Sequence, residues 1–271
     1  MAFNISDLSI TSFETIIACD INGGAFRFML DELQNVTLGN TQENTNITGK
    51  AGRTIGQLKR NKSVTLSGTN GMFSMGLIEA EVGSEGSNDR VTKIKIPEYL
   101  TISNNKDAET TYIAVGTAGN EIGTVYVRNT DGTIKKTLTQ AASTAEGKFA
   151  YDPSTKKLTF YTSDVAAGDE ITVYYKRQIQ ADAYVENLSD HYSETLEVYL
   201  DFICEDKCHN QYRGQIFMPY ADFDGNFELA MGDSQTTQAF TATSLASSCN
   251  NTSSLFWTIT IFGTDVEDYT E

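Results

Sequence analysis

Few residues of this chain have the types and the spacing that chemistry at a site requires. Among its 271 residues there are two histidines and four cysteines. The segment CEDKCH places Cys204, Cys208 and His209 within six residues. Two thiols and an imidazole are ligands that zinc accepts, and Cys249 would complete a set of four. Cys204, however, falls on the apolar face of a predicted strand, and no second paired ligand motif is present. We therefore expect structural cysteines, with a zinc site as the alternative.

Two other segments have the form of ion-binding or phosphate-binding loops. In ADFDGNFELAMGD (residues 221–233), Phe227 occupies the position at which a calcium loop needs glycine. A strand that follows an Asp224-Gly225 turn explains this segment better. The oxygen ligands of the calcium-like pattern would be Asp222, Asp224, Asn226, Glu228 and Asp233.

The other segment, TGKAG (residues 48–52), lacks the first glycine of a phosphate-binding loop, and no apolar strand precedes it.

Catalytic constellations are also weak. Glu197 and Asp201 share one face of a predicted strand, as the two carboxylates of a glycosidase would. Residues 182–271 contain sixteen acidic residues, so such pairs arise by chance, and a solvated or lumen-facing surface is the better interpretation. We expect no catalytic residues, no cofactor and no enzymatic activity.

The charge is distributed unevenly along the chain. The formal net charge is −16. Residues 1–97 and residues 98–181 each contain ten acids and nine bases, whereas residues 182–271 contain only Lys207 and Arg213 against their sixteen acids. Such a surface repels duplex DNA, because affinity for nucleic acid depends on cations that neutralise phosphates. One window, residues 50–78, contains no acid, and its bases are Lys50, Arg53, Lys59, Arg60 and Lys62.

Strand patterns dominate the remainder of the sequence. Residues 194–204 have the clearest amphipathic strand pattern, with Leu196, Val198, Leu200 and Phe202 on one face and Glu197, Tyr199 and Asp201 on the other. Residues 255–262 are apolar or threonine on both faces, which predicts a strand covered on both sides. One amphipathic helix is predicted after Asn70, ending near Gly83; its apolar stripe is Phe73, Gly76, Leu77 and Ala80.

The middle of the chain has a β pattern of its own between two polar connectors. Its predicted strands are residues 122–127, 133–139, 158–161 and 171–175, and an Asp131-Gly132 turn joins the first two. We predict an inserted β-sandwich module at residues 98–181, between two parts of one β domain at residues 1–97 and 182–271. Long hairpins that extend a single barrel are the alternative.

Targeting signals are missing from the sequence as given. No apolar stretch approaches the roughly 20 residues of a membrane-spanning helix. The first residues lack a basic segment followed by an apolar run, so we expect no signal peptide, no membrane partner and cysteines that are reduced in a cytosol.

Three long segments resemble the tail tube (major tail) proteins of long-tailed, non-contractile bacteriophages. They are FRFMLDELQNVTLGNTQENTNITGKAGRTIGQLKRNKSVTLSGTNG (residues 26–71), GKFAYDPSTKKLTFYTSD (residues 147–164) and EDKCHNQYRGQIFMPYADFDGNFELAMGDSQTTQAFTATSLASSC (residues 205–249), the last followed by LFWTITIF. The resemblance covers most of the chain and contains no catalytic signature.

The resemblance implies a mainly β fold, a barrel or sandwich with one flanking helix. It implies subunits that form stacked hexameric rings, through which the genome passes without specific binding. The implied partners are further copies of the chain and other tail proteins, namely the tape measure, terminator and distal tail proteins. The implied location is the virion tail, after synthesis in the bacterial cytoplasm.

For the basic window, stacking suggests a role. Identical rings that stack head to tail join two different surfaces, and complementary charge fixes their polarity. We expect Lys50, Arg53, Lys59, Arg60 and Lys62 to contact the acidic last third of a neighbouring subunit; bases that solvate a surface loop are the alternative. A carbohydrate-binding β-sandwich adhesin, at the cell surface or on the virion, is the competing function.

Overall fold

The computed structural model describes residues 8–21, 24–129, 131–230, 237–246 and 255–263. It divides into a larger unit, Met1–Gly86 with Val185–Glu271, and a smaller unit, Ser87–Tyr184. The described residues contain one α-helix, α1 (Met75–Val82), and a short 3-10 turn, Lys50–Gly52. Their strands are β1 (Ser9–Asp20), β2 (Phe26–Leu30), β3 (Leu33–Thr48), β4 (Thr54–Asn70), β5 (Arg90–Thr101), β6 (Asp107–Glu109), β7 (Thr124–Arg128), β8 (Ile134–Gln140), β9 (Lys148–Asp152), β10 (Lys157–Phe160), β11 (Glu170–Ala181), β12 (Thr195–Glu205), β13 (Gln211–Phe223), β14 (Leu229–Ala230), β15 (Thr237–Ser244) and β16 (Thr258–Gly263).

The larger unit is built on one nine-stranded antiparallel sheet. Its order is β2-β1-β12-β13-β15-β4-β3, with β14 paired to β15 and β16 paired to β13. The sheet is curled into a half-barrel, and α1 packs near β2. This confirms the prediction of a mainly β fold with one flanking helix. Because the sheet does not close on itself, β2 and β3 are left as its edges.

The core of the larger unit follows from the alternation in β12. Leu196, Val198, Leu200 and Phe202 are all buried, as the sequence predicts. Successive side chains of a strand point to opposite faces, so a period of two places these four on the concave, covered side. Burying each such side chain contributes roughly 1.5–3 kcal/mol.

The helix is shorter than predicted, and a different residue caps it. Ser74 is the N-cap, and its hydroxyl accepts a hydrogen bond from the Leu77 amide at 3.4 Å. Asn70 instead ends β4, and its side-chain amide donates to the Met72 carbonyl at 2.7 Å. Phe73 therefore precedes the helix and is 56% exposed. Gly83 ends the helix with a φ of 64°, as predicted, because residues with a Cβ disfavour this conformation.

The prediction for residues 255–262 is wrong in its burial. β16 begins at Thr258 and, among the strands that the structure describes, pairs only with β13. Ile259 and Phe262 are each 45% exposed, so the strand is not covered on both sides. An apolar run without alternation does not distinguish a buried strand from a strand with one open face.

The smaller unit has a separate sheet and a separate core. Its seven strands run in the order β5-β11-β7-β8-β9-β10-β6. Val125, Phe149, Leu158 and Ile171 are fully buried between them. Gly132 has a φ of 84° in the turn between β7 and β8. The unit begins at Ser87, whereas the expected boundary after residue 97 falls inside β5, which pairs with β11 along its whole length.

Gly214 leaves room for a buried aromatic ring of β12 to pack against β13. Phe202 is directly opposite it, and a Cβ at Gly214 would lie 2.2 Å from the Phe202 Cζ. We expect Gly214→Ala to lower the free energy of unfolding by about 2 kcal/mol, because the Phe202 ring, which is 1% exposed, would have to shift within the core. Gly56→Ala is the matched control, since the nearest atom to its Cβ would be 3.8 Å away. Equal urea denaturation midpoints for the two variants would contradict this account.

Candidate assembly surface

One element of the larger unit is exposed along its whole length: the outer half of the β3–β4 hairpin, residues 41–63, which we call the arm. None of its residues is buried, whereas Val64 and Leu66, just inside it, are 0% and 1% exposed. At about 3.3 Å per residue, the arm extends roughly 25 Å beyond the sheet. A two-stranded ribbon of this kind is at best marginally stable alone in water. The arm is therefore a candidate contact surface.

Backbone pairing and a tight turn give the arm its shape. β3 pairs with β4 from Leu33 opposite Asn70 to Thr48 opposite Thr54, with three register shifts. At the tip, the Gly49 amide donates to the Arg53 carbonyl at 2.7 Å, and the Gly52 amide donates to the Gly49 carbonyl at 3.2 Å. These glycine amides bond within the turn, so TGKAG is a hairpin tip and not a phosphate cradle.

The two faces of the arm differ in chemistry. Thr45 lies opposite Leu58, and Ile47 lies opposite Gly56, so both apolar side chains share one face. Ile47 and Leu58 are each 48% exposed. The opposite face carries the pairs Asn44–Lys59 and Asn46–Gln57. Ile55 lies near the tip, at the register shift that follows the Ile47–Gly56 pair, and is 70% exposed. The sequence reasoning missed these apolar side chains, although they interrupt a largely polar stretch.

The five predicted contact bases all lie on the arm, but they do not form one cluster. Lys50 and Arg53 are at the tip, and Lys59 and Arg60 are on opposite faces of β4. Lys62 is near the base, with its Nζ 5.3 Å from the centre of the Phe256 ring. The arm contains a single acid, Glu43, which lies opposite Arg60 and accepts a hydrogen bond from Asn61 at 2.7 Å.

Outside the arm, the larger unit has the opposite charge. The whole larger unit contains 24 acids and 8 bases, and the arm contributes five of those bases and one of those acids, Glu43. The smaller unit contains 12 acids and 12 bases, so the larger unit carries the whole net charge. The arm is thus a positive element on a strongly negative body.

The edge strands of the large sheet offer a second kind of contact. Within the described part of the chain, β2 and β3 each pair on one side only. Phe26 and Met29 of β2 are 63% and 49% exposed. Unpaired strand edges readily pair with another chain unless they are covered.

The comparison with protein families agrees with this description of an assembling β protein. The chain matches the YomU/Tube protein family over residues 9–259. The chain belongs to the YomU/Tube protein family. It is therefore a phage tube-type structural protein, a component of the virion tail that assembles with itself and with other tail proteins. A search of individual curated proteins found no match.

In this tube-family chain, the thiols and histidine of CEDKCH do not converge. Cys204 is 1% exposed within the core, and burial raises the pKa of its thiol. Cys208 is exposed, and His209 hydrogen-bonds Glu205 through Nδ1. Cys249 lies outside the described residues. Among the residues described, no three His, Cys, Asp or Glu side chains are arranged to hold a metal ion.

The calcium-like segment is a turn in the tube-family fold. The Asp224 carboxylate accepts from the Asn226 amide at 3.0 Å, and Gly225 has a φ of 71°. Asp222 lies in β13 and accepts from the Thr195 hydroxyl at 2.8 Å. Glu228 follows the turn, and Asp233 lies outside the described residues.

Glu197 and Asp201 lie on the face of β12 that points away from the core, as predicted, but they are not freely solvated. Glu197 is 7% exposed and accepts from the Tyr199 hydroxyl at 3.1 Å. Asp201 accepts from Thr15 at 3.1 Å and from Gln215 at 2.8 Å. Tyr199 belongs to β12 itself, whereas the neighbouring strands β1 and β13 supply Thr15 and Gln215, so the sequence of β12 alone did not reveal the partners of Asp201.

One buried carboxyl escaped the sequence reasoning entirely. Glu81 of α1 is 2% exposed. Its Oε2 accepts from the Gly225 amide at 2.8 Å, while its Oε1 has no hydrogen-bond partner. Burial raises the pKa of Glu81 to about 7, and the charge of Asp224 adds to this effect.

Within the described residues, no helix has the length and apolarity needed to cross a membrane.

Proposed function

We propose that this chain polymerises as stacked hexameric rings that form the tail tube of a long-tailed, non-contractile phage, the channel for genome delivery. The observation that carries the proposal is the arm: a ribbon with no buried residue that bears five of the eight bases of an acidic unit. An element with so much unpartnered surface is stabilised when a neighbour covers it. Resemblance and subunit size favour the non-contractile type of tail.

Charge gives the proposed stacking its direction. The arm of one subunit would meet the acidic surface of the next ring, which is a contact between two different surfaces. Exposed ion pairs contribute only about 0–1 kcal/mol each, so charge orients the subunits. The apolar face with Ile47 and Leu58 would supply the larger share of the contact energy.

Ring closure would use the two sheet edges. In a ring, β2 of each subunit would pair with β3 of the next subunit, and its own β3 would pair with β2 of the previous one. A head-to-tail contact of this kind closes into a ring when its rotation divides a full turn. Closure would also remove the unpaired edges that invite disordered aggregation.

The remaining acids would line or flank the channel. A conduit for DNA must present few cations, because each phosphate that is neutralised adds affinity and slows the passing genome. Screening limits this repulsion to about 8 Å at physiological salt, so only acids close to the duplex contribute. In this proposal the tape measure, terminator and distal tail proteins are further partners, and the role is structural and not enzymatic.

Removing the apolar surface of the arm is expected to weaken assembly. We expect Ile47→Ser with Leu58→Ser to raise the concentration needed for polymerisation about tenfold, since each half-exposed side chain loses part of its roughly 1.5–3 kcal/mol of burial. Asn44→Ser with Asn46→Ser alters the opposite face and is the control. Light scattering over a concentration series measures the threshold, and equal thresholds for the two double variants would contradict a contact through the apolar face.

Electron microscopy of the purified protein tests the proposal as a whole. At high protein concentration we expect annuli with sixfold symmetry and cylinders that grow from them. The competing function, an adhesin that is not a tube subunit, predicts monomers or trimers at every concentration. Particles that remain single would overturn the proposal.

A further inference from the structure

The smaller unit presents an unusual outward face on β5, β11 and β7, which we call the tyrosine face. Its aromatic residues are Tyr99 of β5, which is 68% exposed, Tyr174 of β11, which is 39% exposed, and Tyr126 of β7. β7 lies between β11 and β8 in the sheet. Aromatic side chains exposed in this number on one sheet face are a common mark of a binding surface. The family assignment does not explain this face.

Strand register places these rings around a small residue. Thr172 of β11 lies directly opposite Tyr99 on one side and Tyr126 on the other. Adjacent strands are about 4.8 Å apart, so the two tyrosines stand about 10 Å apart with threonine as the floor between them. Tyr174, two residues along, meets Tyr126 edge to face at 6.2 Å. A shallow hollow of about 310 Å³ lies here, lined by Tyr126, Arg128, Ile134, Thr172 and Tyr174.

Cations stand at both ends of this row of rings. Arg128 is fixed at one end, where its Nε donates to the Thr172 hydroxyl at 2.6 Å and its guanidinium lies 5.2 Å from the Tyr99 ring centre. Lys95 and Lys176 are directly opposite each other at the other end, and the Lys95 Nζ is 5.9 Å from the Tyr174 ring centre. Among the outward residues of these three strands, the one carboxylate is Glu170, at the rim beside Arg128.

The facing lysines point to an anionic ligand. Like charges directly opposite each other in a sheet are destabilising, so an anion between Lys95 and Lys176 would remove a cost that the free protein carries. Along β11, the distance from Lys176 to Glu170, the residue directly opposite Arg128, is about 20 Å. The face therefore has two separate groups of cations, with uncharged rings and hydroxyl groups between them. On this face the Lys95–Lys176 pair has no carboxylate beside it, whereas Arg128 lies opposite Glu170.

This spacing favours an acidic polysaccharide over nucleic acid. Single-stranded nucleic acid carries a phosphate on every nucleotide and is bound by a continuous basic groove with rings on which bases stack. Here the cations are interrupted, and Tyr126 and Tyr174 are inclined at 74° to each other. Sugar rings have apolar faces that pack on tyrosine, and their hydroxyl groups match the Tyr and Thr hydroxyls, which both donate and accept.

We propose that the tyrosine face binds an acidic polysaccharide in which charged sugars are separated by neutral ones. Neutral rings would pack on Tyr99, Tyr126 and Tyr174. Their anionic neighbours would lie between Lys95 and Lys176 and beside Arg128, where charge-assisted hydrogen bonds are strongest. This inference concerns the smaller unit and does not depend on how the larger unit assembles.

Calorimetric titration of the full chain with hyaluronan oligosaccharides, which alternate a carboxylated and a neutral sugar, tests the proposal. We expect saturable binding that Tyr99→Ser with Tyr174→Ser weakens at least about tenfold, because both stacking surfaces are lost. Tyr161→Ser is the matched control, since Tyr161 is 40% exposed outside the face. Its affinity should stay within about twofold of the original value.

Lys95→Gln with Lys176→Gln separates lost binding from lost folding. We expect weaker binding and a smaller salt dependence, together with an unchanged or higher unfolding temperature, because a like-charge pair has been removed. Three results would overturn the proposal: no saturable hyaluronan binding, equal binding of neutral dextran, or binding of oligo-dT with the same affinity and the same sensitivity to the tyrosine variants.

Discussion

Replacing Lys59, Arg60 and Lys62 by glutamate is expected to leave the protein folded and to block its polymerisation. The change turns the arm from net positive to net negative, while the body of the larger unit remains acidic. Three attractive pairs of up to about 1 kcal/mol each become repulsive, so the concentration needed for polymerisation should rise at least about a hundredfold. Sedimentation velocity over a concentration series measures this threshold.

The matched control makes the same change in net charge, three basic residues replaced by glutamate, in the smaller unit. Lys93, Lys95 and Lys176 are exposed residues of β5 and β11 in the smaller unit, and their replacement by glutamate should leave the polymerisation threshold unchanged. Lys62 also contacts the Phe256 ring, so the unfolding temperature of the arm variant must be measured beside its assembly. Tubes that form normally from the arm variant would refute the role of the arm charges. They would leave open only the interpretation that these bases solvate a surface hairpin.

Glu81→Gln is expected to remove a fall in stability between about pH 4.5 and pH 7. The pKa of Glu81 is raised from 4.5 to about 7 by burial, so in this window the folded state keeps a proton that the unfolded chain releases. The free energy of unfolding therefore decreases as pH rises through the window and is constant above it. The loss would amount to at most about 3 kcal/mol.

Glutamine keeps the acceptor for the Gly225 amide and carries no charge at any pH. Urea denaturation at pH 5 and pH 8 should therefore show the variant more stable than the parent at pH 8 by about 2 kcal/mol, with little difference at pH 5. Glu85→Gln, an exposed change on the segment just after α1, is the control. A parent protein whose stability is the same at both pH values, or a Glu81→Gln variant with an unaltered slope, would contradict this assignment.

The periodicity of apolar residues predicted much of the fold, because alternation and turn formation depend mainly on residues that are close in sequence. The alternation in β12 predicted the buried set from Leu196 to Phe202, and the Asp131-Gly132 turn predicted the hairpin of β7 and β8. Gly83 predicted the end of the helix. The acid-free window predicted where the bases are concentrated, since composition needs no tertiary information.

Errors arose where two local solutions compete. Asn70 and Ser74 are both good N-caps, and pairing of Asn70 with Leu33 at the end of β4 decided in favour of Ser74. The first boundary of the module was placed after residue 97 from the distribution of charge and the two polar connectors, and neither property reports strand pairing. Residue 97 is Pro97, an interior residue of β5. Among the described strands, β5 is an edge of its sheet, where a proline without an N–H is tolerated.

The sequence by itself determined a mainly β protein with one helix, an acidic last third and one basic window, because alternation, turn residues and charge are local properties. Only the tertiary structure showed that Ile47 and Leu58 share one face of the arm. It also showed that Glu81 is buried and hydrogen-bonded to the Gly225 amide, and that Tyr99, Tyr126 and Tyr174 lie on one face of the smaller sheet. Each of these depends on the register between strands or on packing between segments distant in sequence, and a single-residue shift in register would move every side chain to the opposite face.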